Sequence, residues 1–204
     1  MITQLEIKLK YQSEEKLNYN ISSVMHGILM GHIDRAYGER MHEDGLKPFV
    51  QEVCNIKEDE FIWRICTMTE EAKIQIIEPL MKMDQFYMKH RELRLKVCER
   101  NLKEISYDTL IENYYFEEQP RNITIKFCSP TAFKSQGNYI FMPTVRLIFQ
   151  SLIHKYDTFS SDPWRMLSIL PESLHFCAVR IPLSPLPQRH PRFRQPADHP
   201  YQQW

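Results

Sequence analysis

The chain begins with a partly alternating pattern of apolar and polar residues and then changes to helical spacing. Alternation over residues 2–9 predicts a strand with one buried face. Apolar residues from Ile21 to Ala36 recur three and four apart, which predicts one amphipathic helix from about Ser22 to Tyr37. A turn-rich stretch follows, from Gly38 to Pro48.

The next segments continue this alternation of strands and helices. Residues 61–66 are rich in β-forming side chains, residues 70–82 have a helical pattern, and residues 86–100 alternate as a strand does. The order is β-α-(turn)-β-β-α-β, which is the split βαβ arrangement of a ferredoxin-like unit.

The second half begins to repeat this arrangement without visible sequence identity to the first. Strands are predicted at 110–116, 122–128 and 138–142, followed by a helix that starts near Pro143 and has an apolar stripe as far as Tyr156. A short helix at 163–170 and a strand at 174–179 complete the predicted elements.

Composition changes the picture mainly at the end of the chain. The 204 residues include 26 basic and 26 acidic side chains, but residues 181–204 carry three Arg against one Asp, together with six of the 13 Pro, and have no periodicity. We expect this tail to be extended or disordered. The remaining residues then carry a net charge of −2 (23 basic, 25 acidic), so nucleic-acid binding would need a local basic face.

Cysteine spacing and hydropathy restrict the class of protein. Five Cys are widely spaced with no C-x-x-C pair, which argues against a zinc ribbon, a redox dithiol and a disulfide framework. No signal-peptide core and no run of 18 apolar residues occurs, so we expect a cytoplasmic protein without a membrane partner. The five Gly form no phosphate-binding loop, and this excludes a P-loop nucleotide hydrolase.

His42 and Lys47 form the most informative local combination. Both lie in a polar turn that contains Gly45. An imidazole moves protons near pH 7, and an ammonium group five residues away stabilises negative charge, which suits chemistry at a phosphate. The plainer alternative is an exposed loop histidine with a solvated lysine.

The other histidines give no metal site. His26 and His32 are six residues apart and would point about 240° apart on a helix, so we predict partly buried histidines and neither metal nor cofactor.

Further along, the polar turn with Lys134 and Ser135 could bind a phosphate backbone. Phe133 or Tyr139 beside it could stack on a base or belong to the core.

Two separated segments resemble one known family. They are similar to segments of the CRISPR-associated endoribonucleases that cut precursor CRISPR RNA, which are members of the repeat-associated mysterious protein (RAMP) superfamily. The two segments are SPTAFKSQGNYIFMPTVRLIFQSL and ISSVMHGILMGHIDRAYGERMHEDGLKPFVQ. The resemblance extends loosely from Met1 to about Val179 and implies an α+β fold of two tandem ferredoxin-like (βαββαβ) units, the second incomplete. The boundaries would be 1–104, 105–180 and the tail 181–204.

The resemblance also implies a reaction and a site. A ribose 2′-OH would attack the adjacent phosphate without a metal, giving 2′,3′-cyclic phosphate and 5′-OH ends. His42 matches the family's general acid, which is the base in some members, and Lys47 matches a charge-stabilising lysine. Some relatives use a first-helix tyrosine as base, and Met30 takes its place here, which leaves the role absent or assigned to Tyr37 or His26. His26, Lys134 and Ser135 are the candidate RNA contacts.

The end of the chain departs from the family. Relatives end in a glycine-rich loop and further strands that hold RNA, whereas no Gly follows Gly137 here, and a frameshift is one hypothesis for the tail. The expected partner is CRISPR repeat RNA, with other CRISPR effector subunits and a homodimer left open. The alternatives are a weak or inactive RNA-binding member of the family, and a ferredoxin-like small-molecule enzyme or assembly subunit.

Overall fold

The computed structural model describes residues 1–13, 17–43, 45–114, 125, 133–135, 137–140 and 144–160. Within these ranges, no helix combines the length and the apolar character needed to cross a membrane. The predicted segments 163–170, 174–179 and 181–204 lie outside the described residues, as does 122–128 apart from Ile125.

A five-stranded antiparallel sheet forms the first half of the chain. Its strands are β1 (Ile2–Lys10), β2 (Phe49–Cys54), β3 (Glu60–Thr67), β4 (Gln85–Met88) and β5 (Leu93–Ile105), in the spatial order β2-β3-β1-β5-β4. Leu5 of the central strand pairs with Ile65 on one side and Leu102 on the other. The strands predicted at 2–9 and 61–66 are confirmed, whereas β2 was not located by the sequence pattern.

The prediction of a single strand over 86–100 is wrong. The chain forms β4, a 3-10 turn (Lys89–Arg91) and then β5, and β4 pairs with the beginning of β5. Glu92 adopts a left-handed conformation with φ 49°, which reverses the chain between the two strands.

The prediction of one helix over residues 22–37 is also wrong, because two helices occupy this region. Helix α1 (Ser22–Met30) ends at Gly31, and helix α2 (Arg35–Arg40) begins after Asp34. The Asp34 carboxylate accepts a hydrogen bond from the Tyr37 backbone amide (2.9 Å), so it starts a new helix and does not continue the old one.

The helix predicted over 70–82 is confirmed as one continuous helical segment. It consists of α3 (Glu70–Ala72), a π turn (Lys73–Ile77) and α4 (Glu78–Met81). The Thr69 hydroxyl accepts a hydrogen bond from the Ala72 amide (3.1 Å) and caps its first turn.

The hydrophobic core lies between one face of the sheet and these helices. Alternate β1 side chains point into it, and Trp63, Phe61 and Phe86 are among its largest buried members. The order of elements along the chain is that of a ferredoxin-like unit: β1, α1, β2, β3, the helical segment 70–81 and β5. β4 adds an edge strand to this sheet. The predicted α+β fold class is therefore confirmed.

The second half has two helices and one hairpin among its described residues. Residues 107–114 form helix α5 (Tyr107–Tyr114), so the strand predicted at 110–116 is wrong; the Ser106 hydroxyl accepts a hydrogen bond from the Thr109 amide (2.9 Å) and starts a helix there. Strands β6 (Phe133–Ser135) and β7 (Asn138–Ile140) pair with each other, and helix α6 (Val145–Phe159) confirms the predicted apolar helix.

Candidate functional site

The turn after α2 presents His42 at the surface. The His42 backbone amide donates a hydrogen bond to the Glu39 carbonyl (3.0 Å), which continues α2 by a last turn, and its side chain is exposed. Gly45 then takes φ 115°, a conformation that glycine adopts with little strain. The Lys47 ammonium group donates back to the carbonyl of Glu43, so the predicted pair is held on one short loop.

His26 in α1 joins this loop from the neighbouring helix. Its ring lies parallel to that of Phe49, the first residue of β2, with 6.0 Å between ring centroids. Partial burial lowers the pKa of His26, and the nearby charge of His42 lowers it further. His26 is therefore near enough to His42 for the charge of one ring to act on the other, and both effects favour the neutral form of His26.

A buried hydrogen-bond relay holds α1 against the sheet beside the site. The Trp63 indole N–H donates to Gln51 Oε1 (2.6 Å), and Gln51 Nε2 donates to the carbonyl of Ser22 (2.9 Å). Ser22 begins α1, and His26 lies one turn further along on that helix. Gln51 therefore fixes the part of α1 that carries His26. Sequence reasoning missed this residue, because an ordinary glutamine carries no local signal of a distant partner.

Tyr37 faces the protein interior and not the loop surface. Its side chain is 2% exposed, and its buried hydroxyl has no hydrogen-bond partner among the described residues. Burial raises the pKa of Tyr37, as does the nearby Glu71 charge, while Arg40 opposes the shift. The Arg40 guanidinium lies 5.1 Å from the Tyr37 ring centroid and pairs with Glu71. A phenol in this setting gives up its proton less readily than an exposed one.

Lys134 and Ser135 lie in strand β6 and not in the turn that the sequence predicts. They pair with Tyr139 and Asn138 across the hairpin, and Gly137 takes φ 80° in the turn. Tyr139 is 72% exposed. Among the described parts of the chain, no group of three His, Cys, Asp or Glu side chains is arranged to hold a metal ion.

Comparison with known proteins finds one family. A sequence model described as CRISPR-associated endoribonuclease Cas6 matches residues 125–193. A Cas6 endoribonuclease of Mycobacterium tuberculosis is 29% identical over 167 residues, which is 79% of this chain and 53% of the relative. The enzyme of that name from Streptococcus thermophilus is 32% identical over 131 residues, which is 64% of this chain and 53% of the relative.

The solved structures agree with the sequence matches. A Cas6 product complex aligns with a TM-score of 0.64 at 19% identity, covering 80% of this chain and 67% of that chain. At this identity the similarity establishes the fold. The present chain spans about half the length of the curated relatives that it matches, 53% in each case reported above.

Proposed function

The chain is related to the CRISPR-associated endoribonucleases, and on that premise we propose that it cleaves CRISPR repeat RNA without a metal. The observation that carries the proposal is the placement of His42 and Lys47 on one short loop, with His26 on the neighbouring helix α1. The Lys47 ammonium group donates to the carbonyl of Glu43, the neighbour of His42. The His26 ring lies parallel to that of Phe49, two residues after Lys47, and the charge of His42 acts on His26. Cleavage of RNA next to a 2′-OH needs these three kinds of group: a base, an acid and a fixed cation.

In the proposed reaction the ribose 2′-oxygen attacks the adjacent phosphorus. His26 removes the 2′-OH proton, the P–O5′ bond breaks, and His42 gives a proton to the departing 5′-oxygen. The products are a 2′,3′-cyclic phosphate and a 5′-OH. One proton moves from the 2′-OH to His26, and one moves from His42 to the 5′-oxygen. Lys47 lies on the same loop as His42 and stabilises the negative charge that develops on the non-bridging phosphate oxygens.

We assign the base to His26 in preference to Tyr37. A base must reach the 2′-OH in its unprotonated form, and the lowered pKa of His26 supplies that form near neutral pH. Tyr37 has a raised pKa and a side chain that is 2% exposed, which leaves it poorly placed to contact RNA. Its position supports a packing role under Arg40.

The names of the similar proteins support CRISPR repeat RNA as the proposed partner. The curated matches are named CRISPR-associated endoribonucleases, and the structural match is a product complex. The alternative is a member of the family that binds RNA without cutting it.

A comparison of histidine variants tests the proposal. Wild type, His42→Ala and the matched control His154→Ala, which removes an exposed histidine of α6, are incubated with end-labelled CRISPR repeat RNA in EDTA. We expect His42→Ala to slow cleavage by about two to four orders of magnitude, the usual contribution of a general acid, and His154→Ala to leave it unchanged. Equal rates for all three proteins would refute the site, and RNA binding without product in wild type would favour the alternative.

A further inference from the structure

The β4–β5 hairpin carries a concentrated positive charge far from His42. Residues 85–96 contain four cations, Lys89, Arg91, Arg94 and Lys96, and one acid, Glu92, for a net charge of +3 (4 − 1). All of these side chains are exposed. Since the chain as a whole has a net charge of zero, the remaining residues carry a net charge of −3 (22 basic, 25 acidic), and this hairpin is a local basic surface on an otherwise acidic chain.

Part of this charge lies on the face of the sheet opposite the helices. Arg94 and Lys96 of β5 alternate with the buried Leu93 and Leu95, so they point away from the core. Lys10 at the end of β1 lies directly opposite Lys96 across the antiparallel pair. These cations therefore form one continuous basic patch on the open face.

The cations of this patch are not neutralised by neighbouring acids. Among the described residues, Lys10, Arg94 and Lys96 form no ion pair. Glu60 faces Lys10 from the adjacent strand, but its carboxylate is held by Lys8 (3.1 Å) and Lys57 (2.6 Å). Like charges directly opposite each other destabilise a sheet. An anionic ligand lying between Lys10 and Lys96 would remove that repulsion.

An exposed aromatic ring lies within the patch. Tyr87 of β4 pairs directly with Arg94 across the hairpin, and its side chain is 48% exposed. The alternate residues Phe86 and Met88 fill the core, so Tyr87 contributes its ring to the open face. A flat aromatic ring beside fixed cations is the combination that binds unpaired nucleotides, because the ring stacks on a base while the cations contact phosphates.

We propose that this surface, formed by Lys10, Tyr87, Arg94 and Lys96, binds a single-stranded segment of RNA. The exposed Tyr87 ring favours unpaired bases, since bases inside a duplex are already stacked on each other. The inference deepens the proposed function, on which it rests, by assigning a second contact region for the RNA substrate.

The surface is separated from the proposed cleavage site along the length of the sheet. Thr3 of β1 pairs with Thr67, which pairs with Phe49 beside His26, whereas Lys10 pairs with Lys96 of the hairpin. Seven residues of strand separate Thr3 from Lys10, which is about 23 Å at the usual rise of a strand. The hairpin surface therefore holds RNA that flanks the cleaved bond, and its loss should raise KM and leave kcat unchanged.

The test measures binding separately from cleavage. A fluorescein-labelled 12-nucleotide single-stranded RNA of mixed sequence is titrated with wild type, with the double variant Arg94→Glu/Lys96→Glu, and with Lys82→Glu. Lys82 is an exposed cation at the end of α4 and serves as the matched control. We expect the double variant to weaken binding at least tenfold. The slope of log binding constant against log salt concentration should also become shallower by about 1.4, which is about 0.7 for each lost phosphate contact. Lys82→Glu should bind like wild type.

A second pair of variants tests the aromatic contact. Tyr87→Ala should weaken binding by about fivefold to 150-fold, which is the contribution of one stacked base, and the dependence of affinity on salt should stay unchanged. Tyr87→Phe keeps the ring and should retain wild-type affinity.

Three results would overturn the inference: equal binding by the double variant and Lys82→Glu, no effect of Tyr87→Ala, or a blunt RNA duplex that competes as well as the single strand. Failure of the proposed function is distinguishable. If wild type binds RNA through the hairpin but never cleaves repeat RNA, the proposed catalysis is wrong and the proposed RNA-binding surface stands. If the double variant cleaves repeat RNA with unchanged KM, the surface is not a substrate contact.

Discussion

Replacement of Gln51 by Leu should destabilise the fold next to the proposed site. The Trp63 side chain is 0% exposed, and its indole N–H has Gln51 Oε1 as acceptor. Leucine leaves that buried donor unsatisfied, which costs about 1–3 kcal/mol, and removes the hydrogen bond to the Ser22 carbonyl, worth about 1 kcal/mol. We therefore expect Gln51→Leu to lower the free energy of unfolding by about 2–4 kcal/mol. For a chain of this size, that corresponds to a fall in Tm of about 4–16 °C.

The assay combines thermal melting with a direct probe of the indole group. Melting is followed by circular dichroism for wild type, Gln51→Leu and the control Gln4→Leu. Gln4 is a half-buried glutamine of β1 on the opposite face of the sheet, and its loss should cost less than about 0.5 kcal/mol. In a proton–nitrogen NMR spectrum, one of the three tryptophan indole resonances should move upfield in Gln51→Leu alone.

The stability and the spectrum can each contradict this reasoning. If Gln51→Leu melts within 1 °C of Gln4→Leu, the relay does not hold α1 against the sheet. If all three indole resonances stay at their wild-type positions, the hydrogen bond from Trp63 is absent in solution.

Three further outcomes are expected. Glu60 has a pKa lowered to about 2 by hydrogen bonds from Lys57 and Lys8; its folded pKa lies below the ordinary value, so its stabilising effect is present above about pH 4.5 and is lost as the pH falls towards 2. Thermal melts between pH 6 and 2 should therefore show a smaller acid-side decrease in Tm for Glu60→Gln than for wild type, and parallel curves would contradict this. Asp34→Ala removes the α2 cap and should cost about 1 kcal/mol in urea unfolding, whereas Asp34→Ser keeps a capping oxygen and should unfold like wild type; equal stability of the two variants would contradict the cap. Tyr37→Phe removes a buried hydroxyl without a described partner; it should leave both Tm and the RNA cleavage rate near wild type, and a hundredfold slower rate would reassign the base to Tyr37.

The elements that sequence predicted well are those with a strong apolar period. The strand alternation of residues 2–9 and the helical stripe of α6 are properties of the local chain, and both are present. The errors occurred where one side chain redirects the backbone. Asp34 begins a new helix inside an apolar pattern, and Glu92 reverses the chain inside a strand pattern. Neither residue differs in type from ordinary surface residues, so periodicity does not detect them.

The candidate site divides in the same way. His42 and Lys47 are close in sequence, so their spacing and the family resemblance were enough to select them together. The position of His26 beside the His42 loop depends on how α1 lies against β2. That arrangement involves the hydrogen bonds of Gln51 with Trp63 and Ser22, and the ring contact with Phe49. These are contacts between residues far apart in the chain, and they follow from the folded arrangement only.

In the proposed reaction the ribose 2′-oxygen is the nucleophile, so a single 2′-deoxy substitution in the RNA should prevent cleavage. Repeat RNA and the same RNA with a single 2′-deoxynucleotide at the cleaved position are incubated with the protein in EDTA, and the product ends are identified by mass spectrometry. We expect cleavage of the unmodified RNA to a 2′,3′-cyclic phosphate and a 5′-OH, and no cleavage of the deoxy-substituted RNA at that bond. Cleavage of both RNAs at the same bond, or products that carry a 5′-phosphate, would contradict it.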